Sequence, residues 1–245
     1  MIKYEINPNY SEYEPAFMLI EALFDQSSNV IHEKRNVIKN IELGGLTLNV
    51  KSFAIPNIIN KLVYTFFRES KAKRSYEYST KIAQFVPEPL GFVELYKHGL
   101  LDRSFFISQE FKYDFTIREI LFDEVDEKKR AILEGFARFS FALHEMGIEH
   151  LDYSPGNILI KKEKDSYTFK IVDINRMKFG EMDLDKRAKN FAKVWLRDED
   201  MKIIIETYTQ LAPYTYKEML PLALEYSQKH KERANMKKSL KEKVR

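Results

Sequence analysis

The stretch that most constrains this chain is HLDYSPGNILI, residues 150–160, read together with YTFKIVDINR, residues 167–176. Asp152 and Asn157 lie five residues apart in a stiff segment that turns abruptly into an apolar run. Because Ser, Pro, Gly and Asn are the usual residues of turns, the first segment alone fits a simple turn. A further acid, Asp173, ends the second apolar run and favours a functional site instead.

The elements predicted around these acids bring them to one rim of the fold. Apolar residues at helical spacing predict a long helix from about Glu127: Ile132, Phe136, Phe139, Leu143 and Met146. After the loop, residues 158–161 and 167–174 predict a β-hairpin. Mg²⁺ binds carboxylate and amide oxygens together with substrate phosphates, and a neighbouring carboxylate can accept a proton from an attacking hydroxyl. The order D-x-x-x-x-N, hairpin, Asp is that of kinase-type phosphoryl transfer.

The N-terminal part is predicted to be mostly sheet with one helix. Strand-like residues 30–55 flank a Gly-Gly pair at 44–45, which is a hairpin signal. A polar and basic helical stretch through Ala83 follows. Strands are then predicted around residues 90–96 and 104–111.

Phosphoryl transfer also needs a cation on the nucleotide phosphates, held by a carboxylate on a neighbouring helix. Lys51 lies within LTLNVKSF, on the predicted third strand, and Glu77 lies on the helix that follows. Each of these residues alone fits an ordinary exposed position. Together with the downstream acids they stand in the order that kinases use. Glu69, nearer the start of the helix, is the alternative partner of Lys51.

No G-x-G-x-x-G motif precedes Lys51, and the position expected for it holds SSNVIHEKRN. A backbone without glycine cannot approach a phosphate as closely. Two expectations stay open: side-chain donors such as Ser27, Ser28 or Lys34 cover the phosphates, or nucleotide binding is weaker than in protein kinases.

The segments NVKSF, KAKRSYEY, HLDYSPGNILI and VDINRMKF occur in this order within residues 30–195. With them the chain resembles the lipopolysaccharide core kinases, which phosphorylate the sugar Kdo or inner-core heptose. The resemblance implies a bilobal, protein-kinase-like α+β fold, with a small antiparallel-sheet N-lobe carrying one helix and a mainly helical C-lobe. It implies ATP, Mg²⁺ and transfer of the γ-phosphate to a sugar hydroxyl of a lipid-linked saccharide. Matching positions make Asp152 the catalytic base, Asn157 and Asp173 the metal ligands, and Lys51 with Glu77 the phosphate-anchoring pair.

The adenine of ATP is expected against the connection QEFKYDF. Backbone groups of Glu110 and Lys112 would make its hydrogen bonds. The predicted domain boundaries follow from this connection: an N-lobe at 1–111, a C-lobe at 112–228 and a basic C-terminal tail at 229–245.

Departures from protein kinases favour an acceptor that is not a protein. Leu151 replaces the Arg of H-R-D, and Ser154 stands where protein Ser/Thr kinases commonly carry Lys. DIN replaces D-F-G, so the Phe whose packing sets active and inactive states is missing. Only residues 174–183 separate Asp173 from the next predicted helix, which leaves no room for a peptide-docking platform. Asn190, in RAKNFAKVW, either anchors the helix beneath the catalytic loop or is plain core packing.

Composition bounds these predictions. A chain of 245 residues with 44% hydrophobic and 31% charged residues fits a soluble globular protein of one large or two small lobes. It has no cysteine, and no apolar run approaches the ~20 residues that span a bilayer. We therefore predict a cytoplasmic protein. No nucleic-acid partner is expected, because residues 1–228 carry a net charge of 3 − 6 = −3 and show no basic and aromatic stripe beyond residues 56–74.

A lipid-linked acceptor would bring the protein to the inner face of the cytoplasmic membrane. Two segments could make peripheral contact with an anionic membrane. Residues 229–245 hold eight Lys or Arg and two Glu, a charge of 8 − 2 = +6. Residues 56–74 mix apolar and aromatic residues with a basic end, as an interfacial helix does. Each segment also has an ordinary explanation, as a solvated helix end and as a helix packed on the small lobe.

Two other functions fit the same residues. A small-molecule kinase of the aminoglycoside or choline phosphotransferase type shares the PGN loop, and acceptor screening separates it. A nucleotide-binding pseudokinase fits less well, because the base and both metal ligands are present.

Overall fold

The structure is a computed structural model that describes residues 1–33, 36–54 and 58–243. The chain divides into two compact units, Met1–Lys112 and Tyr113–Arg245. The first unit is built on an antiparallel sheet and the second is mainly helical, as the sequence predicts.

The sheet of the first unit has six strands among the described residues. They are β1 (Ile2–Ile6), β2 (Val30–Glu33), β3 (Asn36–Leu43), β4 (Leu46–Phe53), β5 (Pro89–Lys97) and β6 (Leu100–Gln109). Across the sheet they follow the order β1-β5-β6-β4-β3-β2, each antiparallel to its neighbours. Gly44 and Gly45 join β3 to β4 with φ of 57° and 85°, a left-handed backbone that favours glycine. The predicted hairpin is confirmed.

One strand of this sheet was not predicted. Residues 30–43 form β2 and β3, which pair with Val30 opposite Lys39. The unpredicted β1 pairs with β5, so Lys51 lies on the fourth strand and not the third. β2 is exposed throughout and β1 is mostly exposed, so neither strand has the burial pattern of a core strand.

Short helices cover the sheet on one side. They are α1 (Glu14–Met18) and α2 (Ile20–Gln26). Phe17, Ile20 and Phe24 of these helices are buried in one core cluster with Leu48 and Val50 of β4. The predicted single helical stretch of this unit, which forms two helices, is therefore joined by an unpredicted N-terminal pair.

Two further helices follow β4: α3 (Ile58–Phe66) and α4 (Lys71–Lys81). The side chain of Ser70 caps the first turn of α4. Ala72 and Tyr76 of α4 pack in a second cluster with Phe53 of β4. Because side chains alternate along a strand, Lys51 shares the α4 side of β4 with Phe53.

The second unit contains the predicted long helix. Its helices are α5 (Ile117–Ile120), α6 (Glu127–Glu145), α7 (Leu184–Phe191), α8 (Asp198–Thr209) and α9 (Tyr216–Lys243). α6 begins where the Asp126 carboxylate accepts the Lys129 N–H at 2.7 Å, and it ends before Gly147, which has φ of 69°. Buried residues line one side of α6: Ile132, Leu133, Phe136, Ala137, Ser140, Leu143 and His144. The predicted start at Glu127 is confirmed.

Short strands surround the segment that carries the predicted site. They are β7 (Phe115–Thr116), β8 (Ile148–His150), β9 (Ile158–Lys162), β10 (Tyr167–Ile171) and β11 (Met177–Phe179). β9 and β10 form the predicted hairpin, with β7 on the other side of β9. The unpredicted pairing of β8 with β11 sets Met177 opposite His150. The chain just before Asp152 therefore runs beside the chain just after Asp173.

Helix α9 continues through most of the predicted basic tail, 229–245. The beginning of that tail is packed on its own unit: Lys231 Nζ donates to Leu196 O at 2.7 Å, and the Trp195 and His230 rings lie 5.7 Å apart. None of the helices in the described ranges is long and apolar enough to cross a bilayer.

Candidate active site

Asp152 and Asn157 are joined by a hydrogen bond within the loop after β8. The Asp152 carbonyl oxygen accepts the Ser154 N–H at 2.7 Å and the Asn157 side-chain amide Nδ2 at 2.9 Å. A single 3-10 turn, Pro155–Asn157, then leads into β9. Because the amide nitrogen of Asn157 is held by the loop, the amide oxygen is the atom left to act as a ligand.

Asp173 is connected to the same loop through its neighbour in the chain. The Val172 N–H donates to Asn157 O at 3.0 Å. Asp173 has φ of 58°, a left-handed conformation that is uncommon for a residue with a side chain. Its carboxylate accepts the Asn175 amide Nδ2 at 2.6 Å. The structure thus links the segments of the three predicted residues by hydrogen bonds, with an unusual backbone at the expected metal ligand.

His150 holds the two sides of this loop together, and it is fully buried. Its Nε2 donates to Val172 O at 3.1 Å, and its Nδ1 accepts the Asp152 N–H at 3.0 Å. One donor and one acceptor require a neutral imidazole. Burial lowers the pKa of His150 to about 4, which keeps the ring neutral at physiological pH. Sequence reasoning did not assign His150 a role.

A second buried histidine, His144, is connected to the loop through Asn190. His144 Nε2 donates to Asn190 Oδ1 at 3.1 Å, and the Asn190 Nδ2 donates to His150 O at 2.9 Å. The Tyr208 hydroxyl lies 2.9 Å from His144 Nδ1, and the Arg187 guanidinium donates to that hydroxyl at 3.0 Å. Burial lowers the pKa of His144 to about 4. Asn190 therefore anchors the loop, and the plain-packing alternative is ruled out.

Lys193 is a site residue that the sequence analysis missed. Its Nζ donates to the carbonyl oxygen of Leu151 at 2.6 Å, one residue before Asp152. Burial lowers the pKa of Lys193, and the nearby carboxylates of Glu149 and Asp152 act in the opposite direction. Asn190 and Lys193 stand three residues apart, so one side of a helical segment reaches two successive carbonyls of the loop. That spacing is the sequence signal that could have identified Lys193.

Tyr153 anchors the loop to α6. Its side chain is fully buried, its hydroxyl lies 2.8 Å from Ser140 Oγ, and its ring centroid lies 5.6 Å from that of Phe136. The residue directly after the predicted base is therefore fixed by both packing and a hydrogen bond.

The first unit carries the predicted phosphate-anchoring residues on β4 and α4, which pack together. Lys51 Nζ lies 5.3 Å from the centroid of the Phe53 ring. Glu77 Oε1 lies 3.5 Å from Lys73 Nζ, and Glu69 Oε1 lies 2.8 Å from the same Nζ. The pairing of Lys51 with Glu77 stays a prediction.

Of the predicted adenine contacts, Glu110 has partners within the first unit. The Glu110 N–H donates to Thr47 O at 2.9 Å. Because this N–H is already bonded, the carbonyl oxygen of Glu110 is the backbone group left for the predicted hydrogen bond to adenine. Lys112 is exposed in the segment after β6. Ser27 Oγ, a candidate for covering the phosphates, donates to Asn40 O at 2.8 Å. Lys34, the other basic candidate, lies outside the described residues.

Comparison with known protein families gives a match to the lipopolysaccharide kinase (Kdo/WaaP) family over residues 61–211. No curated protein matches the sequence. Among solved structures, "WaaP in complex with acyl carrier protein" is similar, with a TM-score of 0.61 and 17% identity over 94% of this chain and 98% of that chain. A Rio2 kinase from Chaetomium thermophilum, in an ADP/Mg²⁺-phosphoaspartate complex, has a TM-score of 0.49 and 16% identity over 96% of this chain and 76% of that chain.

The likeness to WaaP confirms the predicted protein-kinase-like α+β fold. The family match covers more than half of the chain and includes the loop of Asp152 and Asn157 as well as Asp173. Kinases transfer phosphoryl groups and generally use ATP with Mg²⁺. The chain therefore belongs to the lipopolysaccharide kinase (Kdo/WaaP) family of phosphotransferases.

Proposed function

We propose that this protein transfers the γ-phosphate of ATP to a sugar hydroxyl, on Kdo or heptose, of the lipopolysaccharide inner core. The observation that carries the proposal is the loop geometry: the Asn157 side chain donates to Asp152 O, and the N–H of Val172, the residue before Asp173, donates to Asn157 O. A carboxylate beside an amide and a second carboxylate is the set of groups that kinase chemistry needs.

Asp152 is the proposed general base. Its carboxylate accepts the proton of the sugar hydroxyl as the oxygen attacks the γ-phosphorus, and the bond to the β-phosphate oxygen breaks. The backbone on both sides of Asp152 is fixed, by His150 at its N–H and by Asn157 at its carbonyl. The base therefore needs little reorganisation at the moment of reaction, which is how a positioned group lowers a barrier.

Asn157 and Asp173 are the proposed metal ligands, and their chemistry fits Mg²⁺. Both offer oxygen atoms, which this hard cation prefers, and phosphate oxygens would complete the set. When bound, Mg²⁺ would neutralise charge on the β- and γ-phosphates. The amide of Asn157 is pre-oriented by its bond to Asp152 O, and Asn175 orients the Asp173 carboxylate.

Lys51 is proposed to bind the nucleotide phosphates, with Glu77 orienting it. The position of Lys51 on the α4 side of β4, beside Phe53, supports this role because Glu77 lies on α4. The carbonyl of Glu110 and the backbone of Lys112 are proposed to contact adenine. The roles of Lys51 and Glu77 follow the family's residue pattern, and the adenine contacts follow from the position of the connection QEFKYDF.

The acceptor is proposed to be a lipid-linked saccharide rather than a protein. β11 follows Asp173 closely and pairs with β8, so this part of the chain is an ordered strand and not a long docking segment. A lipid-linked acceptor also implies a cytoplasmic enzyme with peripheral contact with an anionic membrane.

The direct test is transfer of radiolabelled γ-phosphate from ATP to extracted inner-core saccharide, both lipid-linked and delipidated. Aminoglycoside, choline and protein acceptors are assayed beside it, with Asp152→Asn as the inactive control. We expect label on the core saccharide alone, and its loss in the control.

Other outcomes point to other functions. Label on aminoglycoside or choline but not on core saccharide would replace the proposed acceptor with that of a different small-molecule kinase. Nucleotide binding without transfer to any acceptor would indicate a pseudokinase.

A further inference from the structure

Helix α3 in the first unit packs on the sheet with one side and exposes an apolar row on the other. Toward the sheet, Lys61 Nζ lies 2.5 Å from the Asp102 carboxylate, and Thr65 Oγ1 accepts the Leu101 N–H at 2.9 Å. The opposite side carries large apolar residues at the spacing of one helical face, with another just after the helix. These residues and their exposed fractions are Ile59 67%, Leu62 42%, Phe66 67% and Phe67 85%.

Positive charge lies directly beside this row. Arg68 follows Phe67 in the chain and is exposed, with its guanidinium carbon 5.9 Å from the centroid of the Tyr64 ring. Arg74 is half-buried, and no described residue hydrogen-bonds to its buried Nε. Burial lowers the pKa of Arg74, and the like charge of Arg68 lowers it further. Two guanidinium groups therefore lie close together beside the row, and the nearby Glu69 carboxylate acts in the opposite direction on the pKa of Arg74.

We propose that the α3 surface, formed by Ile59, Leu62, Phe66, Phe67, Arg68 and Arg74, docks on the interface of an anionic lipid bilayer. Apolar side chains of such a helix enter the boundary between headgroups and acyl chains. A guanidinium group can donate two parallel hydrogen bonds to two oxygens of one phosphate, which suits the headgroups of anionic lipids. The inference rests on the proposed function, because a lipid-linked acceptor is what brings the enzyme to a bilayer.

The basic end of α9 differs from the α3 surface in the kind of binding it supports. Its exposed large apolar residues within the described part are Met236 and Leu240, set among lysines and arginines. Attraction that comes from charge alone weakens as salt is raised, whereas insertion of aromatic side chains does not. The α3 surface thus predicts a component of membrane binding that survives high salt.

The test measures co-sedimentation of the full chain, without ATP or acceptor, with vesicles of phosphatidylcholine containing phosphatidylglycerol. The double variant Phe66→Gln/Phe67→Gln removes the aromatic pair from an exposed position. Phe122→Gln is the matched control, since Phe122 is 84% exposed and lies in the second unit. We expect the double variant to bind at least ~10-fold more weakly at low and high salt, because each inserted aromatic side chain contributes through its buried area. The control should bind like the wild type.

A charge variant sharpens the result. Arg68→Gln should weaken binding to the anionic vesicles at low salt and leave the weak binding to pure phosphatidylcholine unchanged. Equal binding of the wild type to both vesicle types would overturn the anionic part of the proposal.

Three results would overturn the α3 surface as the docking site. The first is that the wild type does not bind vesicles, and the second is that the double variant binds them as strongly as the wild type. The third is that the wild type forms a dimer and does not bind vesicles, whereas the double variant is a monomer. Because the assay contains no ATP or acceptor, its failure leaves the proposed function standing. A protein that binds vesicles through this surface but phosphorylates no saccharide would contradict the proposed function alone.

Discussion

The polar groups beneath the catalytic loop are buried and hydrogen-bonded, whereas those near Glu77 are partly exposed. In the second unit, His144, His150 and Asn190 are buried and joined by hydrogen bonds. Elsewhere in that unit, Lys129 and Asp200 form an ion pair of 2.9 Å with side chains 3% and 0% exposed. In the first unit, Lys73 holds Glu69 and Glu77 in pairs whose side chains are about a third to a half exposed. Exposed pairs contribute at most about 1 kcal/mol and re-form easily, while breaking a buried pair costs several times more. The loop that carries the proposed base and metal ligands is therefore held in advance by buried contacts, whereas Glu77 lies in a partly exposed pair that can rearrange when a nucleotide binds.

The largest effect is expected at Asp152, the proposed base. Asp152→Asn should lower kcat by about 10²–10⁴-fold, because the amide cannot accept the hydroxyl proton. The KM for ATP should stay nearly constant, since the loop is held by the backbone of Asp152. Steady-state kinetics at saturating ATP measures both. An unchanged kcat would show that Asp152 is not the base.

Removing one member of the buried ion pair should be the most damaging change to stability. Asp200→Asn leaves the Lys129 ammonium buried without its carboxylate, and we expect the free energy of unfolding to fall by about 3–5 kcal/mol. Glu69→Gln, in the exposed pair, should cost less than about 1 kcal/mol. Urea unfolding measures both values. Similar losses in the two variants would remove the contrast between the units.

Lys193→Met tests whether the loop depends on its cationic anchor. We expect kcat to fall about 10-fold, because the Leu151 carbonyl loses a charged hydrogen bond, while the KM for ATP stays unchanged. Lys193→Arg should restore most of the activity. Lys178→Met, at an exposed position of β11, is the control. If Lys193→Met lowers thermal stability but leaves kcat of the folded enzyme intact, the residue is only structural.

Buried neutral histidine should make stability depend on pH. The pKa of His144 is about 4 in the folded protein, below its ordinary value of 6.5. Between these values the unfolded chain binds a proton that the folded chain excludes, so stability rises with pH and falls as pH drops from 6.5 toward 4. The expected contribution is about 1.4 kcal/mol per pH unit. In urea unfolding, His144→Gln should show a shallower slope over this range; an identical slope would assign it to other groups.

The smallest effect is expected from changes to Glu77 and Glu69 in the first unit. Comparing the two variants shows which glutamate is the partner of Lys51. Glu77→Gln should raise the KM for ATP about 5-fold, the size of a half-exposed charge pair, with little change in stability. Glu69→Gln should leave the KM unchanged. The opposite pattern would make Glu69 the partner.

The sequence by itself determined the elements that depend on neighbours in the chain. Helical spacing predicted α6, the Gly-Gly pair predicted the β3–β4 turn, and turn residues followed by apolar runs predicted the loop and the β9–β10 hairpin. The order of Asp152, Asn157 and Asp173 along these elements was enough to predict kinase chemistry. These features are local, because spacing and turn chemistry act over a few residues.

Only the tertiary structure decided how the loop is held and which apolar surface stays exposed. His150 meets Val172 across 22 residues, Asn190 meets His150 across 40, and Lys193 meets Leu151 across 42. No local pattern specifies such partners, because a buried donor or acceptor is satisfied by whichever groups packing brings within reach. The apolar residues of α3 likewise fitted either a packed or an exposed helix. The sheet beneath the helix takes one side and leaves Phe66 and Phe67 in solvent, since burial depends on neighbouring elements and not on composition.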